Sequence, residues 1–303
     1  MGCFKLNTKR LNLEMPIVVI FFAFLCVLVL SHANPLLAEP GRDGGFFMYA
    51  GKELVKGKTL YTDVWDSKGP LIFLINALGM GIGRGTRWGM WLLEAAFLFS
   101  GALLAFSLMR RRWNELAALV GVTAALMGAK TLFDAGNSVE EYSLLFTWAA
   151  LYAFYQYTRH PEKKWYPLVF GIALAANFWL RANLVGTVAV LLVIWFIDHY
   201  RRSGIKQALL HLLLVLAGVS IVTVPLLIYF FGQGTLNEMF SAAVVYNFGY
   251  SFDDRLGAKT GLPIWHGSLV PGFTKLGWLA NFGLVGWLLL LLQTLRGLKK
   301  PLA

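Results

Sequence analysis

The sequence predicts an all-α polytopic membrane protein of about eight transmembrane helices, with further juxtamembrane helices in its first outer loop. Three observations predict it. The 303 residues are 57% hydrophobic and 14% charged, with a mean hydropathy of +0.61, whereas a soluble domain carries roughly 25% charged residues. Apolar runs recur at lengths near the roughly 20 residues a membrane span needs. The basic residues fall in short clusters between those runs: Arg110–Arg112, Arg159 with Lys163 and Lys164, Arg201 with Arg202, and Lys299 with Lys300. That clustering is the positive-inside pattern, so the net charge of +11 is a topology signal and argues against a nucleic-acid partner. There is no internal repeat and no low-complexity linker, so residues 1–303 read as a single membrane domain.

In chain order, apolar helices are expected at 16–34, 88–109, 115–133, 142–158, 165–180, 184–200, 207–231 and 276–295. The first follows Lys5, Lys9 and Arg10 and reads as a retained signal anchor, since further helices follow it. Two cysteines, Cys3 and Cys26, offer no disulfide framework. Leu6 stands where a myristoylation signal needs Ser or Thr. The run from Pro70 to Gly83 is an exception: it is short and glycine-rich, better suited to an interfacial or re-entrant helix than to a span.

Charge decides how to count that run. If 70–83 stays on the outer side and the N-terminus is cytoplasmic, every later basic cluster faces the cytoplasm; if it spans, they all move outside. The expected topology therefore has outer loops at about 34–87 and 232–275, in a cell (inner) membrane with any active site on the outer face.

The candidate chemistry sits in those outer segments. Asp43 opens a helix rich in interfacial aromatics, Phe46, Phe47 and Tyr49; it reads as a general base beside a low-dielectric surface or, more plainly, as a helix cap or partner of Arg42. In Trp65-Asp66-Ser67-Lys68-Gly69-Pro70 the Lys68 ammonium can reach a lipid phosphate, flanked by Asp63 and Asp66. Glu140 and Glu141 are either N-terminal helix acids or a carboxylate pair for a divalent metal. Arg181 places outer positive charge where topology disfavours it, so it reads as a phosphate ligand or a partner of an outer acid. Glu94 and Lys130, near the outer ends of their spans, are expected to pair with each other. His266 is a lone histidine, a substrate contact or an aromatic-loop residue, and Tyr246 and Tyr250 offer either stacking for a sugar or an interfacial aromatic belt. No P-loop, nucleophile elbow or His-Glu-x-x-His is present.

Taken together, Asp43 at the start of the first outer loop, Tyr61-Thr62-Asp63, the Lys68-Gly69-Pro70-Leu71 element and the acid at Glu140-Glu141 resemble the membrane-embedded GT-C glycosyltransferases. The nearest group is the protein mannosyltransferases and the aminoarabinose transferases of lipid A. The resemblance covers about residues 10–200. It implies transfer of a sugar from a polyprenyl-phosphate donor to a glycan, lipid or protein acceptor. Asp43 would activate the acceptor, Lys68 would hold the donor phosphate and Glu141 would assist, with Tyr61 and Asp63 in the binding loop. The chain departs from the pattern at Gly44-Gly45, where relatives carry a second acid, and at Ser67, where the aminoarabinose enzymes carry a metal-binding acid. Members of that group are longer, which leaves a truncated or non-catalytic member and a lipid or solute transporter as the competing expectations.

Overall fold

The computed structural model describes residues 14–133, 136–160, 163 and 165–247, with 285, 286 and 288. Nine α-helices are described: α1 (Met15–Val29), α2 (Arg42–Val55), α3 (Pro70–Ile82), α4 (Trp88–Arg112), α5 (Glu115–Leu132), α6 (Val139–Arg159), α7 (Trp165–Leu180), α8 (Gly186–Gly232) and the short α9 (Leu236–Phe240), which runs on into a π-helical turn, Ser241–Val245. Their boundaries follow local chemistry. Prolines stand at the first turns of α1 and α3, where the missing N–H costs nothing. The Asn114 side chain accepts from the Ala117 N–H to cap α5, and Ser138 does the same for Glu141 at the start of α6.

α8 is a hairpin. Gly204 lies outside helical geometry (φ 78°, ψ 170°) and reverses the chain. The rings of His199 and His211 stack at 4.3 Å between centroids, although twelve residues of straight helix would separate them by about 18 Å. Both arms pack on α7, and the second returns Phe230 to 5.7 Å from Tyr61.

The bundle therefore has two chemically distinct ends. At one, Arg110 meets Met15, Arg111 meets Gln156, and the α8 hairpin turns among Arg201, Arg202 and Asp198. At the other, Trp91 donates to Leu30 O, Arg87 donates to Pro35 O and Ala38 O, and α7 finishes at Leu180. α3 starts and finishes at this second end: Gly69, just before it, bonds Leu180, and Gly79 near its finish packs on Met90 in the first turn of α4. It is a short helix that does not run to the other end.

The expectation of about eight spans is corrected by the helix lengths. Among the described residues three segments are long and apolar enough to cross a membrane, Met15–Ala33, Trp88–Arg112 and Ala182–Gly232, the last being the doubled-back α8. α7, with 16 residues, is about 24 Å long, short of a hydrocarbon core of about 30 Å. Most of α7 is buried. Its apolar composition is accounted for by helix–helix packing, which a hydropathy count cannot tell from lipid contact. The expected span at 276–295 lies largely outside the described residues. Large apolar side chains are exposed on α1 and α8, among them Ile20, Phe24, Val190, Leu213 and Ile228.

Candidate functional site

The loop between α2 and α3 is held in one conformation by its own polar groups. Asp63 accepts from the Thr59 N–H at 2.8 Å, and Asp66 accepts from the Lys68 N–H at 2.9 Å. Tyr61 adopts a left-handed backbone (φ 70°), which costs about 1–2 kcal/mol for a residue other than glycine. Its hydroxyl donates to Lys68 O at 2.9 Å while its ring packs on Phe73 and Phe230. Burial, and then the nearby Asp66 carboxylate, push the Tyr61 phenol well above its ordinary value. The loop is fastened at two further points: Asn247 donates to Ser67 O, and the Gly69 N–H donates to Leu180 O at 3.2 Å. Gly69 has no substitute there, because a Cβ would lie 2.0 Å from Trp179 O.

This fastening aims the Lys68 ammonium between two carboxylates. Its Nζ is 3.4 Å from Asp43 and 3.7 Å from Asp66, and 5.0 Å above the Phe47 ring. The lysine side chain is 20% exposed and Asp66 17%, while Asp43 is 68% exposed. The result is a half-sheltered cation with one fixed acid and one acid open to solvent. Because residue 69 bonds residue 180, Lys68 and Arg181 flank the same backbone junction. Arg181 is also paired, Nη1 to Glu140 Oε1 at 3.1 Å, and both are close to half exposed. These five residues give charges of both signs around one exit of the bundle.

A buried amide pair beneath the surface sets the position of Asp43. Asn137 donates to Gly44 O (2.9 Å) and to Asn76 Oδ1 (2.8 Å); Asn76 donates back to Asn137 Oδ1 (3.1 Å) and to Ile72 O (2.9 Å). Tyr142 OH also donates to Asn137 Oδ1 at 3.0 Å. This pair locks the first turn of α2, the middle of α3 and the approach to α6 together. Sequence reasoning missed both asparagines. The available signal was Gly136-Asn137, a pair suited to the left-handed turn it makes (φ 77° and 53°).

The other expected site residues divide. Glu140 and Glu141 face apart: Glu140 meets Arg181 outside, whereas Glu141 is wholly buried beside Glu94 and Tyr142. They do not form the expected metal-binding pair, since adjacent helical positions are turned about 100° from each other. Among the described residues no cluster of three His, Cys, Asp or Glu side chains is placed to hold a metal. The expected Glu94–Lys130 pair is absent as well: Lys130 is exposed and donates to Ser31 Oγ at 3.3 Å, while Glu94 is 1% exposed. Tyr246 stacks edge-on against Trp65 at 5.3 Å, on the rim of the Lys68 loop. Asp63 caps its own turn instead of facing Lys68. His266 and Tyr250 lie outside the described residues.

Comparison with known proteins supplies a family. No curated protein and no solved structure matches the chain. Residues 5–256 match the family model described as "Putative competence-induced protein Ccs4 N-terminal domain", a description that names no reaction. The match takes in α1 to α9 and every described site residue, so the chain belongs to the competence-induced protein Ccs4 N-terminal domain family.

Proposed function

We propose that this protein is a membrane-embedded glycosyltransferase that moves a sugar from a polyprenyl-phosphate donor to a hydroxyl of a glycan, lipid or protein acceptor at the outer membrane face. The observation that carries the reading is the Asp43–Lys68–Asp66 cluster, one cation between two acids on a braced loop beside Arg181. Exposed Asp43 is the weaker-held partner. A donor phosphate competing for Lys68 would free it while Asp66 keeps the ammonium in place.

The chemistry follows from that exchange. The acceptor oxygen attacks the anomeric carbon and a new C–O bond forms. The bond from that carbon to the phosphate oxygen breaks, and its electron pair leaves on the lipid phosphate, where Lys68 and Arg181 offset the charge. Asp43 takes the acceptor proton. The assisting acid in this arrangement is Glu140, at the surface with Arg181, since Glu141 is buried. A divalent metal does not fit the carboxylates present: Lys68 stands between Asp43 and Asp66, Arg181 engages Glu140, and Glu141 faces away.

The orientation belongs to the same proposal. It rests on Arg110–Arg112, Arg159, Arg201 and Arg202 gathering at the end of the bundle opposite Lys68, which the positive-inside rule places in the cytoplasm. The test is release of lipid phosphate when the protein in nanodiscs meets polyprenyl-phosphate sugars and a hydroxyl acceptor. Wild type should release it, and Asp43→Asn should not while melting unchanged. Full transfer by Asp43→Asn would end this mechanism. Passage of the lipid or a solute across the bilayer with no release would favour transport, for which the buried Glu94 and Glu141 are the natural residues.

A further inference from the structure

A cavity of about 640 Å³ opens between α4, α5 and α6, and no residue of the Lys68 loop lines it. Its floor is made by small residues, Gly101, Ala102 and Ala105 of α4 with Gly121 and Gly128 of α5, and Trp148 of α6 forms a wall. The absence of side chains leaves a slot. Along α5 the lining runs from Gly121 to Leu132, about 16 Å of helix. That is close to one leaflet of a hydrocarbon core about 30 Å thick. One end of the slot reaches Met109, beside the basic Arg110–Arg112 end; the other reaches Glu140 and Leu184, where Arg181 is held.

The lining is apolar throughout except at that upper end. There Glu140 accepts one N–H of the Arg181 guanidinium, which is 44% exposed and carries five such donors, so others are not engaged by Glu140. A one-leaflet apolar slot with an arginine at its outer end matches a lipid with one long chain and a phosphate head. Resting on the transferase reading above, we infer that this α4–α5–α6 slot holds the chain of the polyprenyl phosphate, with Arg181 at its phosphate. Arg181 would then be the hinge between the two halves of the ligand: chain on its α5 side, sugar phosphate on its Lys68 side. Glu140 is displaced from Arg181 when the phosphate arrives.

The experiment uses the full chain in nanodiscs and a polyprenyl phosphate carrying a diazirine in its chain, with adducts mapped by peptide mass spectrometry. Adducts are expected on α4 between Leu98 and Met109 and on α5 between Gly121 and Leu132. Ala125 lines the slot yet is exposed, so Ala125→Phe should fill it without disturbing the core. That change should lower adduct yield by about tenfold, equivalent to about 1.4 kcal/mol of lost affinity. Ile228→Phe, on the exposed side of α8, should leave it unchanged. Adducts scattered over α1 and α8, or displaced equally by excess phosphatidylglycerol, would overturn the inference whatever the turnover. Adducts in the slot with no sugar transfer from any donor would instead keep the slot as a lipid-phosphate site and remove the transferase reading.

Discussion

Replacing Asn137 by alanine should be among the most damaging single changes at this end of the molecule. Its side chain makes four buried hydrogen bonds, donating to Gly44 O and Asn76 Oδ1 and accepting from Asn76 Nδ2 and Tyr142 OH. Each lost bond costs about 1 kcal/mol, and about 1–3 where the orphaned partner stays buried. Partial relaxation of Asn76 and Tyr142 leaves a total of about 3–5 kcal/mol. The left-handed backbone at Asn137 (φ 53°) adds about 1 kcal/mol for alanine. By the size scaling of soluble domains this amounts to a fall in Tm of roughly 10 °C or more. The measurement is a tryptophan-fluorescence melt of the detergent-purified protein, with Asn137→Gly as companion. Glycine loses the same four bonds but tolerates the backbone, so it should recover about 1 kcal/mol relative to alanine. A melt of Asn137→Ala within about 2 °C of wild type, or a glycine variant less stable than the alanine one, would refute the reasoning.

Gly69→Ala should lift the Lys68 loop from α7, because the new Cβ meets Trp179 backbone, costing about 2–4 kcal/mol and most of the lipid-phosphate release; a fully active Gly69→Ala would show that the junction is dispensable. Tyr61 gives a pH dependence. Its phenol is raised in the folded state, so its contribution is intact below the ordinary value near 10 and declines as the pH climbs from there towards the folded value. Tyr61→Phe should therefore melt lower than wild type at pH 8 and lose less between pH 9 and about 11, and parallel pH profiles for the two proteins would count against a buried, hydrogen-bonded phenol. For topology, a cysteine at Arg111 in a background lacking Cys3 and Cys26 should resist a membrane-impermeant maleimide applied to intact cells and react after lysis. Labelling from outside would invert the proposed orientation.

Helix type and most helix positions were legible in the chain, since α4, α5 and α7 lie close to the apolar runs that announced them. The short helix α3 was legible too, from the length of its apolar run. The number of spans was not. Apolar run length does not say whether a helix faces lipid or other helices, and α7 is largely buried among its neighbours. At the site, Asp43 and Lys68 were picked out one by one from residue type and surroundings. Their 3.4 Å contact depends on Asn76 and Asn137, two uncharged residues whose partners lie 61 and 93 positions away in the chain.

By itself, the sequence determined that this is a helical chain with apolar helices long enough to cross a membrane and a mixed-charge loop between α2 and α3, because hydropathy and charge placement act locally on each segment. Tertiary structure alone decided which acid of Glu140-Glu141 faces out, that Lys130 leaves Glu94 unpaired by it, and that residues 69 and 180 meet. Those outcomes turn on helix rotation and on contacts between distant segments. Two neighbouring glutamates about 100° apart on a helix look alike in a sequence, and packing puts one beside an arginine and the other in the core.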